Sequence, residues 1–263
     1  MARFEHLEFG PDANDRPGPE QRAKGPQHDE DEHRALSNAD SCRRRGQYEN
    51  ALRFYSRALE YDKSLIAAWV GQVQMLVQLG EAPEAELWAR KALEMFPGNG
   101  ELLAARAQAL CRTSDVLQAG ATCDAAMGAA GRSAFRWQVR GEWMLACRQK
   151  LEEHCFAKAQ EIDGNWLVAM ESALIYMHYK FPSRAVVRAR LATEMAPAEY
   201  HPWFVRGTAE AALGLRQSAA ESFDQCLQLC PRHVEAAASR RELSAGWSPA
   251  RFWQACRNFL RRR

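Results

Sequence analysis

Small residues recur along this chain with a period of 34, and that period limits the possible fold more than any other feature. Ala51, Ala85 and Ala119 are spaced by 34, as are Ala185 and Ala219. A second series runs Ala58, Ala92, Ala126, Ala159, Ala192 and Cys226 in steps of 33 or 34. Seven residues separate the two series, so on a helix both fall on one face. Trp69, Trp137 and Trp203 come early in the helix that precedes those alanines, and Pro97, Pro197 and Pro231 close three of the units. Gly46, Gly80 and Gly214 stand five residues before the first alanine, where a turn between paired helices belongs. The period therefore predicts antiparallel helix pairs. Two small positions let the helices approach, the large aromatic fills the space between units, and proline ends the second helix. A single pair cannot bury its own apolar face, so stability has to come from stacking.

These residues resemble the tetratricopeptide-repeat (TPR) family. The clearest unit is Tyr200–His233, with Trp203, Gly207, Gly214, Ala219, Phe223, Cys226 and Pro231 on the family pattern. Ile66–Asn99 matches through Trp69, Gly80, Ala85, Ala92 and Pro97, and Trp166–Glu199 through Ala169, Ala173, Tyr176, Ala185, Ala192 and Pro197. Glu32–Leu65 carries Gly46, Tyr48, Ala51, Tyr55 and Ala58 but lacks the early Trp. Gly100–Arg132 has Leu103 for Trp and ends in Gly128-Ala-Ala-Gly131, while Ala134–Asn165 keeps Trp137, Gly141, Phe156 and Ala159 but is two residues short. The resemblance implies an all-α fold, a right-handed α-solenoid of about six helix pairs. A capping helix over Val234–Ala245 and a terminal amphipathic helix would follow. Gly120, Gly128 and Gly131 each cost about 1 kcal/mol relative to Ala, so the third unit is expected to be the soft joint.

The array boundaries leave two tails, an acidic disordered one over 1–31 and a basic helix over 246–263, around the array at 32–245. The first holds four basic residues against eight acids, with Phe4, Leu7 and Phe9 ahead of a Pro- and Gly-rich stretch. The run from His28 to His33 reads as solvated charge, because its histidines are five apart and off one helical face. In the second, Phe252, Trp253, Cys256, Phe259 and Leu260 form an apolar stripe, with Trp247 placed to staple onto Phe252, beside Arg251, Arg257, Arg261, Arg262 and Arg263. That helix could pack on the array, lie on an anionic membrane surface or dock on a protein or nucleic acid. At roughly 14 residues it is too short to span a bilayer.

In the family, the first helix of each pair lines a concave groove that holds ligands. Carried over by position, the lining would include Arg43, Val70, Gln74, Val77, Gln108, Gln138, Glu142, Met170, Leu174, Met177, His178, Phe204 and Thr208. Leu36, Asp40, Gly71, Glu101 and Ala105 stand where a branch of the family has its lysine–asparagine clamp, so carboxylate clamping is not expected. An apolar, amide-rich groove suits a partner helix or an extended apolar segment. No phosphate loop, nucleophile elbow or His-Glu-x-x-His motif occurs, and no cofactor or enzymatic role is expected. Cys226, Cys230 and His233 approach a metal pattern, but Pro231 breaks their helical face, and buried thiols are the simpler reading.

The sequence thus points to a non-enzymatic adaptor or scaffold. The alternatives are a peripheral membrane protein held by the C-terminal helix and a nucleic-acid-associated accessory protein. A net charge of +2 argues against a dedicated nucleic-acid binder. The acidic start of the chain, where a leader would need an apolar run, points to the cytoplasm.

Overall fold

The computed structural model of the chain describes residues 26–244. The readings placed on residues 1–25 and on 245–263, including Trp247, Phe252, Trp253, Phe259 and Arg261–Arg263, lie outside the described residues. Thirteen α-helices occur among the described residues: α1 (Pro26–Arg44), α2 (Tyr48–Tyr61), α3 (Ile66–Leu79), α4 (Ala82–Met95), α5 (Gly100–Arg112), α6 (Val116–Gly128) and α7 (Ala134–Ala146). They continue as α8 (Glu152–Ile162), α9 (Trp166–His178), α10 (Pro182–Met195), α11 (Tyr200–Ala212), α12 (Arg216–Leu229) and α13 (Val234–Ser244). The first twelve pair into six antiparallel hairpins that stack as an α-solenoid, and α13 covers the end. Ala236 and Leu243 of α13 pack with Phe223 and Cys226 of the last hairpin, as a capping helix should. Helix α1 starts at Pro26, so it takes in the acidic run up to Asp31 that the array boundary at 32 had left in the tail.

The two alanine series explain the stacking. Ala51, Ala85, Ala119, Ala185 and Ala219 are fully buried, as are Ala58, Ala92, Ala159, Ala192 and Cys226, with Ala126 almost so. With only a methyl or thiol at these positions, the second helix of each hairpin lies close against its neighbours. The indoles act between units. Trp69 Nε1 donates to the Lys63 carbonyl at 2.9 Å, and Trp203 Nε1 to the Pro197 carbonyl at 3.0 Å, each tying a helix to the loop that enters it. Side-chain caps start several first helices: Asn99 accepts from Glu101 N, Ser133 from Arg136 N and Asn165 from Leu167 N.

The hairpin turn repeats as well. Gly46, Ser114, Arg148, Lys180, Gly80 and Gly214 all have positive φ, between 57° and 83°, one in each hairpin. The step between them is 34 except from Arg148 to Lys180, where it is 32. The two residues missing from the fourth unit are therefore lost after its turn. Helix α8 has only 11 residues, and it meets α9 over less surface than other successive helices share.

The third unit, expected from its glycines to be the soft joint, is held by one side chain of the next unit. Arg136 Nη1 donates to the carbonyls of Ala129 and Gly131 at 3.0 Å and of Ala126 at 3.3 Å, while Nη2 donates to Ala130 at 3.0 Å. Its Nε pairs with Glu101 Oε1 at 2.7 Å, and Ser133 Oγ donates to the other carboxylate oxygen. A single guanidinium thus satisfies the carbonyls that the Gly128–Gly131 ending leaves open.

Candidate functional site

The first helices α3, α5, α7 and α9 pack on one another in turn, and side chains at repeat-equivalent positions meet there. Gln74, Gln108 and Glu142 are spaced by 34. Glu142 is fully buried on α7, where it accepts from Gln108 Nε2 at 3.0 Å and from Tyr179 Oη at 3.5 Å and pairs with Arg112. Gln138 Nε2 donates to the Val168 carbonyl at 3.0 Å and to Ser172 Oγ at 3.3 Å. Between Gln74, Gln108, Gln138, Phe135 and Glu171 there remains a pocket of only ≈10 Å³, about the room of one water. This layer of first helices is filled by its own side chains over this stretch. A buried carboxylate of this kind survives because hydrogen bonds and an ion pair surround it.

The array also closes on itself. Arg43, at the end of α1, donates to Glu171 Oε1 of α9 from Nε at 2.8 Å and from Nη2 at 2.5 Å, across 128 residues of sequence. Tyr48 Oη lies 3.1 Å from His201 Nε2, and Tyr200 Oη donates to the Arg45 carbonyl at 2.9 Å. The turn between α1 and α2 therefore sits on the start of α11. Gly46 is needed there twice over: its φ is +71°, and a Cβ would stand 2.2 Å from the His201 ring. Desolvation, with the His233 charge second, lowers the His201 pKa to about 3, so the clasp is built around a neutral imidazole.

Comparison with known proteins adds a fold. No protein-family model matches the chain, and no curated protein matches it significantly. Solved structures do match. A thermophilic TPR protein from Thermus thermophilus is 13% identical, with 82% of this chain and 100% of that chain covered at a TM-score of 0.51. A TPR protein from Parabacteroides merdae is 17% identical, with 81% of this chain and 84% of that one covered at a TM-score of 0.51. The fold is TPR-like.

On the TPR-like hairpins, the expected groove residues divide. Gln74, Val77, Gln108, Gln138, Glu142 and Met170 are buried among neighbouring helices. Arg43 is committed to Glu171. Val70, Leu174, Met177, Phe204 and Thr208 are half-buried and His178 is exposed. Phe204 lies between His201 and His233, with ring centroids 6.2 Å and 4.7 Å away. Although its edge reaches solvent, the rest of the His178 ring is desolvated, and with the neighbouring Arg112 this lowers its pKa. Burial raises the Cys123 pKa to about 11 and the Cys226 pKa to about 12, which makes both inert packing thiols at neutral pH. Among the described residues no group of three His, Cys, Asp or Glu could hold a metal, and no helix is long and apolar enough to cross a membrane.

Sequence reasoning missed Tyr48, Glu171 and His201. Repeat equivalence carries no sign that they meet, since contacts between first and last hairpins depend on the accumulated turn of the whole array. Arg136 was also missed, although Gly100 is a trace of it: a Cβ there would stand 2.3 Å from the guanidinium carbon.

Proposed function

We propose that the chain is a non-catalytic adaptor that holds a partner helix or extended apolar segment on its concave face, in competition with its own first hairpin. The observation that carries this reading is the clasp. Arg43–Glu171, Tyr48–His201 and Tyr200–Arg45 are polar contacts made by half-buried side chains and the buried His201, with half-buried Phe204 stacked on that ring at 6.2 Å. Net worth of about 1 kcal/mol for each neutral hydrogen bond, and about 2 kcal/mol for the Arg43–Glu171 pair, keeps such a closure reversible. An opened state a few kcal/mol above the closed one is populated at roughly 0.1–10%, and a partner that binds it draws the population over. The TPR-like fold supports a protein-binding role of this general kind.

The test is quantitative affinity capture from the native host with full-length protein in three forms. Wild type should recover a partner, Leu174→Arg should lose it, and Glu171→Ala, which weakens the clasp, should recover more. Equal recovery by all three forms removes the concave face as the binding surface.

A further inference from the structure

The missing pair of residues in the fourth unit leaves a second feature, separate from the concave face. A cleft of ≈650 Å³ opens between the α7–α8 turn and the α9–α10 turn, along the edge where the hairpin turns line up. Its volume falls within the range of ligand-binding pockets, about 300–1,000 Å³. Beside it α8 is short and packs thinly on α9.

The lining has a definite chemistry. Leu145, Tyr179 and Phe181 supply apolar wall, and Phe181 is 40% exposed. Arg148, Lys150 and Arg184 supply three cations against one acid, Glu152. Glu152 is 1% exposed and pairs with Arg184, which leaves Arg148 and Lys150 as the cations open to an incoming ligand. Arg148 and Lys150 are exposed and make no ion pair among the described residues. The Arg184 guanidinium lies 5.8 Å from the Phe181 ring centroid, close enough to orient both groups. We infer that this cleft binds an acidic peptide segment of a partner protein, with a bulky apolar side chain against Phe181 and Leu145 and carboxylates toward Arg148 and Lys150. Charge complementarity selects acids, and the apolar wall selects a side chain over a bare anion. The site is open at the edge of the array, so an extended chain can enter and leave it without the clasp opening.

The backbone supplies a clean variant. Arg148 occupies a left-handed turn at φ 57°, in the position where other hairpins have Gly46, Gly80 and Gly214. Arg148→Gly relieves the backbone while deleting the cation, so lost binding cannot be ascribed to misfolding. The probe is a fluorescent acetyl-DEDFED-amide titrated against the full chain at low salt and read by anisotropy. Saturable binding is expected. Arg148→Gly combined with Lys150→Glu should weaken it at least about fivefold, as should replacement of the probe's phenylalanine by alanine, while Arg90→Glu on α4 should leave it unchanged. Leu174→Arg should also leave it unchanged, which separates this site from the concave face. No saturable binding, or equal affinity for all protein variants, would overturn the inference.

Discussion

In the third unit, the Gly128–Gly131 ending leaves several carbonyls without helical partners, and the Arg136 guanidinium of the next unit collects four of them. In the fourth unit two residues are missing, the turn spacing drops from 34 to 32, and a cleft of ≈650 Å³ opens beside the short α8. Both units depart from the repeat, with different results. A poor ending exposes polar backbone groups, and one side chain with five donors can satisfy them without moving a helix. A shortened unit removes packing surface, which hydrogen bonding does not restore. A weak sequence signal in a repeat therefore has two meanings, and only the kind of residue missing tells them apart.

The strongest challenge to that contrast is Arg136→Ala. With Arg136 7% exposed and joined to four backbone carbonyls and to Glu101, the change should cost about 3 kcal/mol and lower Tm by roughly 6–12 °C. Lys150→Ala in the fourth unit should stay within about 0.5 kcal/mol by urea denaturation. Equal losses would mean that the third unit has no special stitch.

Gly120→Val comes next. A Cβ at Gly120 would stand 2.9 Å from the Trp143 ring, across the joint between third and fourth units, and overpacking should cost about 2 kcal/mol. Gly164, in the fourth unit's loop, has open space around it, so Gly164→Ala should be neutral or slightly stabilising. Thermal denaturation of the pair measures how tightly each unit is closed.

Acid provides a third comparison, because it acts on the clasp. The unfolded chain takes up a proton on His201 near pH 6.5, whereas the folded one does so only near 3. The contribution is therefore complete above 6.5 and is lost as pH falls toward 3, at about 1.4 kcal/mol per pH unit. His201→Asn should flatten this dependence. Hydrogen exchange at pH 5 should then show the first hairpin loosening before α6, and the reverse order would place the weak joint in the third unit after all.

The smallest effect concerns the turns. Arg148→Gly and Lys180→Gly should each raise stability by about 1 kcal/mol, since both residues are held at positive φ. A fall in stability would show that these side chains hold the fourth and fifth units together.

Much of the fold was legible because repeats encode local, periodic requirements. The alanine positions had to be small wherever two helices cross, and every member of both series proved buried. Turn glycines marked three hairpins directly, while Ser114, Arg148 and Lys180 hid the other three by adopting the same φ without the expected residue. The first-helix layer was legible as a set of positions. Its internal pairing was not, because Gln108 meets Glu142 and Gln138 meets Ser172 through distances between helices that sequence spacing does not state.

From the sequence alone follow the helical hairpins, their number and the small residues of the core, since each depends on neighbours within one unit of 34 residues or the next. The tertiary structure alone decided that Arg43 reaches Glu171 across 128 residues and that the fourth unit gapes rather than contracts. The first outcome is a sum over every joint in the array, where small rotations accumulate and no single residue carries the result. The second turns on how the short α8 packs on α9, which spacing alone does not state.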